Sequence, residues 1–182
     1  MSRRSWMILG VAVSGLFACA DPSGLRTVDG TRLTAPTRAS SSAQVKQQIA
    51  GTISFVGGGS SGEFRATPGG QCFFSDVEVR DHFEGDIVGP ITFYENERAP
   101  CDFSHLTGDG PFVAQVTWNG RSGTITGQWE TNCKADPSQP IGLSCDGTMN
   151  GRGSAGLDGV QFHFKWGPGW YPFPYTGTAF SD

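Results

Sequence analysis

The sequence predicts an all-β domain: a closed antiparallel barrel of eight strands, with a two-sheet sandwich as the alternative. Three observations predict it. From Gly51 onward, apolar and polar residues alternate in segment after segment, the period of a strand with one wet face. Glycine is abundant at 27 of 182 residues, and after residue 50 no window places apolar residues at i, i+3, i+4 and i+7. Glycine weakens helices but suits turns, bulges and tightly curved sheet. Turn signals recur at hairpin spacing, giving seven to nine strands with no helices between them. Closure is favoured over a sandwich because it removes sheet edges.

Upstream of this domain the chain reads MSRRSWMILGVAVSGLFACADPSG. Arg3 and Arg4 form a basic head, and Met7 to Ala18 is an apolar run shorter than the roughly 20 residues a membrane span needs. Residues 1–18 therefore read as a signal peptide. Leu16-Phe17-Ala18-Cys19 resembles the lipobox of bacterial lipoproteins. The resemblance implies that Cys19 carries lipid and becomes the first residue, anchoring the chain to the bilayer. Ala20 after the cysteine resembles outer-membrane lipoproteins. Ala18-Cys19-Ala20 also fits ordinary signal peptidase, which would leave a soluble periplasmic or secreted protein. Residues 19–48 are rich in Ser, Thr, Pro, Gly and Arg and read as a flexible tether; Gln44 to Ala50 forms either a helical turn or the lead into a strand. Residues 49–182 form the β domain.

Within it, Ile53 and Phe55 share one face of the first strand. Val77, Val79 and Phe83 share the next, opposite Asp76, Glu78, Arg80, His82 and Glu84. Asp81 falls on the apolar phase; it lies inside, sits at the rim, or marks a bulge that shifts the phase. Ile87, Ile91 and Phe93 begin another strand, with Gly89-Pro90 as a bend or bulge. Phe112, Ala114, Val116 and Trp118 alternate with polar or smaller neighbours, and Ile125 and Trp129 follow. Asn119-Gly120 between them is a type I′ hairpin signal. Val160, Phe162, Phe164 and Trp166 alternate with Gln161, His163 and Lys165, and Tyr175 to Phe180 is the last strand. Gly167-Pro168-Gly169 and Pro172-Phe173-Pro174 read as loop, as do the glycines of GRGSAG at 151–156 and Asp109 and Asp146 in their glycine-flanked settings.

Charge and cysteine usage narrow the function classes. Without Arg3 and Arg4, 11 basic residues face 17 acidic ones, a net charge of −6. Such a surface repels phosphate backbones, so nucleic acid is not an expected partner. Setting Cys19 aside leaves an even four: Cys72, Cys101, Cys133 and Cys145. They lack zinc-type spacing, and in an exported chain they pair as disulfides. Of three possible pairings, Cys72–Cys101 with Cys133–Cys145 is preferred.

No metal, cofactor or catalytic constellation is legible. GRGSAG matches G-x-G-x-x-G but is followed by a strand rather than the helix a dinucleotide site needs. His82, His105 and His163 form no ligand spacing. The candidate site is aromatic. Phe93, Trp118, Trp129, Phe162, Phe164, Trp166, Trp170 and Tyr171 either fill a core or line the mouth of a small barrel. WGPGWYPFPY adds aromatics on a loop, as a lid or contact surface.

GRSGTITGQW, GRGSAGLDGVQFHF and YTGTAF together resemble the allene oxide cyclase-like domains, including bacterial members of unknown function. The resemblance covers roughly residues 75–180 and implies an eight-stranded calycin-type barrel with a central cavity. It carries no catalytic residue onto this chain. Three readings follow: an anchored barrel binding a small apolar ligand or an envelope partner; an envelope enzyme acting on a hydrophobic substrate; a structural protein with a filled barrel. An open pocket with a buried, perturbed acid favours the enzyme, an open apolar pocket favours binding, and a filled core favours the structural role. The oligomeric state is not legible.

Overall fold

The computed structural model describes residues 44–59 and 62–181. Nine strands run in chain order: β1 (Val45–Gly58), β2 (Glu63–Ala66), β3 (Gln71–Gly85), β4 (Ile87–Pro100), β5 (His105–Trp118), β6 (Arg121–Ala135), β7 (Leu143–Ala155), β8 (Gln161–Gly169) and β9 (Phe173–Ser181). They form a single antiparallel sheet in which sequential neighbours pair from β2 to β9. The pairing closes on itself. β1 is bonded to β9 through Val45–Ile53 and to β3 through Gly51–Gly58, so β1 and β3 to β9 make a ring of eight strands, with β2 appended to β3. The sheet is thus one ring of pairings rather than two facing layers. The stretch read as a signal peptide, Cys19 and most of the stretch read as a tether lie outside the described residues. β1 begins at Val45, inside the stretch read as tether, because Val45–Gln48 already pair with Thr178–Ser181.

The alternation holds where it was clearest. β5 reads exposed, buried, exposed, buried along its whole length, and Trp118 faces Arg121 across a two-residue turn. Asn119 (φ 50°) and Gly120 (φ 73°) have the positive φ of a type I′ turn. In β3 the phase slips once, at Asp76 (φ 55°), between Phe74 and Val77. Beyond that bulge Val77, Val79, Asp81 and Phe83 keep one phase, so Asp81 is interior rather than displaced.

Several segments read as turns are strand instead. Gly167-Pro168-Gly169 ends β8, with Gly169 opposite Cys145, and Phe173-Pro174 opens β9 opposite Ile53 and Thr52. Asp109 pairs with Glu130 in mid-β5 and Asp146 with Asn132 in β7. Gly151 and Gly153 lie in β7; only Gly156 falls in the following turn. Packing explains the glycines: a Cβ on Gly151 would stand 2.6 Å from Ile125 Cγ2 and 3.0 Å from Phe112 Cζ. Glycine serves here to bring neighbouring side chains close, not to reverse the chain. Gly89-Pro90 stays in register with β3, opposite Phe83 and His82.

Both disulfides form as preferred. Cys72–Cys101 joins the outer end of β3 to the residue after β4, and Cys133–Cys145 links directly paired positions of β6 and β7, with Cα atoms 4.0 Å apart. Two such bonds fit an oxidising, exported compartment. Among the described residues, no helix is long and apolar enough to cross a membrane.

Candidate functional site

The inward faces of the strands divide the interior in two. At one end Phe83, Ile87, Ile91, Phe112, Phe162, Phe164 and Tyr175 are almost wholly buried and pack ring against ring. The Tyr175 hydroxyl accepts from the Ile87 backbone N–H at 3.2 Å. Toward the other end the same faces open into a cavity of about 720 Å³. The interior is therefore not the filled core that the structural reading requires.

The cavity takes residues from nearly every strand of the ring. Its walls are aromatic and aliphatic: Ile53 from β1, Val79 from β3, Phe93 from β4, Trp129 from β6, Trp166 from β8 and Phe173 from β9. Trp129 fits because it faces glycine. A Cβ on Gly108 would sit 3.1 Å from its Cη2, and one on Gly110 3.3 Å from its Nε1. Trp170 and Tyr171, in the short β8–β9 connection, also line the space. The Tyr171 ring lies tilted against Phe173 at 4.4 Å and Phe55 at 5.5 Å, and Trp166 lies 4.5 Å from Phe173. Phe55, Phe103 and Ile141 are lining residues that remain exposed, so the approach is apolar too. Cys133 and Cys145 bring their disulfide into the wall.

Three carboxyls interrupt this surface. Asp81 from β3 and Glu95 and Glu97 from β4 all line the cavity. Their positions follow from phase: 77, 79 and 81 alternate inward on β3, and 91, 93, 95 and 97 on β4, with Val77 opposite Glu95 and Val79 opposite Phe93. Asp81 is 2% exposed. The Tyr171 hydroxyl donates to its Oδ2 at 2.7 Å, while Oδ1 is buried with no partner. Burial pushes the Asp81 carboxyl from 3.8 to about 7, against the opposing effect of the Tyr171 hydrogen bond. Burial, then the charges of Glu97 and Asp81, lifts Glu95 to about 8. Glu97 is raised by burial, and Tyr171 by burial first and Asp81's charge second. Among the described residues, no lysine, arginine or histidine lines the cavity. The indole N–H groups of Trp129 and Trp166 are buried without partners.

Five of the eight aromatics expected at the site come together: Phe93, Trp129, Trp166, Trp170 and Tyr171. Trp118, Phe162 and Phe164 do not. Trp118 packs edge-on against Phe162 at 5.6 Å, and Phe164 packs against Phe83 and Tyr175. They share the inward phase, but position along the strand separates them. Phe164 and Phe162 precede Trp166 by about 7 and 13 Å of strand at roughly 3.3 Å per residue. The sequence reading placed no acid on β4, although Glu95 and Glu97 continue the Ile91-Phe93 phase by two further steps. His82 and His105 lie away from the cavity, and His163 meets Asn150 Oδ1 at 2.6 Å on the outer face.

The arrangement can hold an apolar body against indole and phenyl rings, accept hydrogen bonds or positive charge at the carboxyls, and exchange protons near neutral pH. Among the described residues, no group of three or more His, Cys, Asp and Glu side chains is placed to hold a metal ion. Comparison with known proteins gives no match: no family model, no curated protein and no solved structure is similar to the chain.

Proposed function

We propose that this chain is a lipid-anchored envelope protein whose calycin-type, allene oxide cyclase-like barrel binds a small, largely apolar ligand without transforming it. The observation that carries the reading is the 720 Å³ cavity, aromatic-walled and interrupted by a few convergent polar groups. Ligand sites for small molecules span about 300–1,000 Å³ and have this composition. The apolar approach at Phe55, Phe103 and Ile141 gives a hydrophobic molecule a continuous path inward. The lipid on Cys19 rests on the lipobox resemblance.

The test is saturable binding of the neutral apolar dye N-phenyl-1-naphthylamine, read by its fluorescence. We expect one site per chain, weakened by Val79→Trp, which puts a larger side chain into the cavity wall and narrows the space. A dye signal absent from the parent protein, or unchanged by a folded Val79→Trp, would overturn the reading.

A second reading, an envelope enzyme using acid–base chemistry, is favoured by Asp81: a buried acid near pH 7 in contact with the Tyr171 hydroxyl. Division of acid and base roles needs neighbouring groups pushed apart in pKa. Here Asp81, Glu95, Glu97 and Tyr171 are all pushed upward. That common direction suits recognition better than proton relay. Recovery of a chemically altered ligand after incubation, lost in Asp81→Asn, would move the assignment to the enzyme.

A further inference from the structure

We propose that the cavity selects a small organic cation: a protonated amine carried on an apolar or aromatic body. This deepens the ligand-binding reading above and rests on it. The first observation is a charge imbalance. Asp81, Glu95 and Glu97 line one cavity, and among the described residues no cationic side chain lines it with them. Among the described residues the one other titratable lining group is Tyr171, from the β8–β9 connection, and its hydroxyl already donates to Asp81 Oδ2.

The second observation is independent of acid count. Asp81 is 2% exposed, lines the cavity, and leaves Oδ1 with no donor. A buried, unpaired carboxylate oxygen is costly unless something donates to it. An ammonium group entering the cavity supplies both the donor and the charge. The third is the wall. Trp129, Trp166 and Trp170 line the same cavity as the acids, and indole is the best side chain for holding a cation by its π face. An anionic ligand meets three carboxyls here, and a plain hydrocarbon leaves Oδ1 unpaired.

The protonation states give the binding a signature. Without ligand, Asp81 and Glu95 hold their protons up to about pH 7 and 8. A bound cation favours the ionised carboxyls, so binding releases protons. Affinity for a cation then rises between pH 5.5 and 8, while affinity for a neutral isostere does not.

The experiment is calorimetric titration of the full chain with three probes of similar shape: 1-naphthylmethylamine, 1-naphthalenemethanol and 1-naphthoate. At pH 8 the amine should bind at least about tenfold tighter than the alcohol, with the anion weakest. That preference should shrink at pH 5.5. Titration in two buffers of different ionisation enthalpy should show proton release on binding the amine alone. Asp81→Asn combined with Glu95→Gln should abolish the preference of the site for the amine over the alcohol. The buffer comparison needs no variant, so a variant that fails to fold does not remove the test. Amine and alcohol binding within about twofold at pH 8 would overturn the cation inference while leaving ligand binding intact. Failure of all three probes and of the neutral dye would overturn both.

Discussion

Replacing Asp81 by asparagine should stabilise the protein, and more so as pH rises. The unfolded chain releases the Asp81 proton near 3.8, whereas the folded chain keeps it to about 7. Between those values the folded state holds the extra proton, so stability falls as pH rises through this window and levels off above it. The penalty on the ionised group is about 1 kcal/mol at pH 4.5 and about 4 kcal/mol at pH 8. Asparagine keeps a carbonyl to accept from Tyr171 and has no charge to bury. The variant's advantage should therefore grow by about 3 kcal/mol from pH 4.5 to pH 8, or about 10 °C in melting temperature. Loss of the Asp81 charge also eases ionisation of Glu95, which adds in the same direction. Urea unfolding followed by tryptophan fluorescence at the two pH values measures the difference. Parent and variant curves that stay parallel across this range would refute the claim that Asp81 is ionised at a cost inside the cavity.

Three further predictions concern the frame. Asn119→Ala with Gly120→Val forces side chains onto positive φ at both turn positions and should lower stability by about 2 kcal/mol or more; an unchanged melting temperature counts against the type I′ turn. Removing the Cys133–Cys145 bridge by paired alanine substitution releases a 12-residue separation and should cost about 3 kcal/mol in urea unfolding. A cost near zero would mean that the β6–β7 ladder already confines this loop in the unfolded ensemble. Cys19→Ser should abolish incorporation of a labelled fatty acid and move the protein from membrane to soluble fraction; label retained on the serine variant would sink the lipoprotein reading.

The sequence revealed the frame more readily than the site, for a physical reason. Strand alternation is a local property, and β5 displays it in unbroken form; the Asn119-Gly120 turn is equally local. Ring closure is not local. It depends on β1 pairing with β3 and β9 at once, across more than a hundred residues of chain. The error over Gly151 has the same origin. A glycine needed because a distant side chain approaches it looks, in sequence, like a glycine needed for a turn. Glu95 and Glu97 were within reach of the alternation argument, since Ile91, Phe93, Glu95 and Glu97 are one phase. They were missed because charge is ordinarily a sign of the wet face, and the strand was not carried past Phe93.

That same phase shows how the fold accommodates a buried acid. On β3 and β4 the inward side chains change character along the strand: Phe83 and Ile87 at one end, then the directly paired Asp81 and Ile91, then Glu95 and Glu97. Full burial of a side chain such as Phe83 or Phe162 contributes about 1.5–3 kcal/mol. Two such residues offset the roughly 4 kcal/mol that ionised Asp81 costs at pH 8, and the filled end supplies more than two. The strands run from one end to the other, so the stability of the packed half helps hold the carboxyls in place, alongside the Tyr171 hydrogen bond to Asp81. An interior that spent its whole length on packing would be more stable and would have nothing left to offer a ligand. Asp81 Oδ1, buried and unpaired beside an aromatic cavity, is where this chain departs from that more stable alternative, and the proposed ligand binding gives the departure a use.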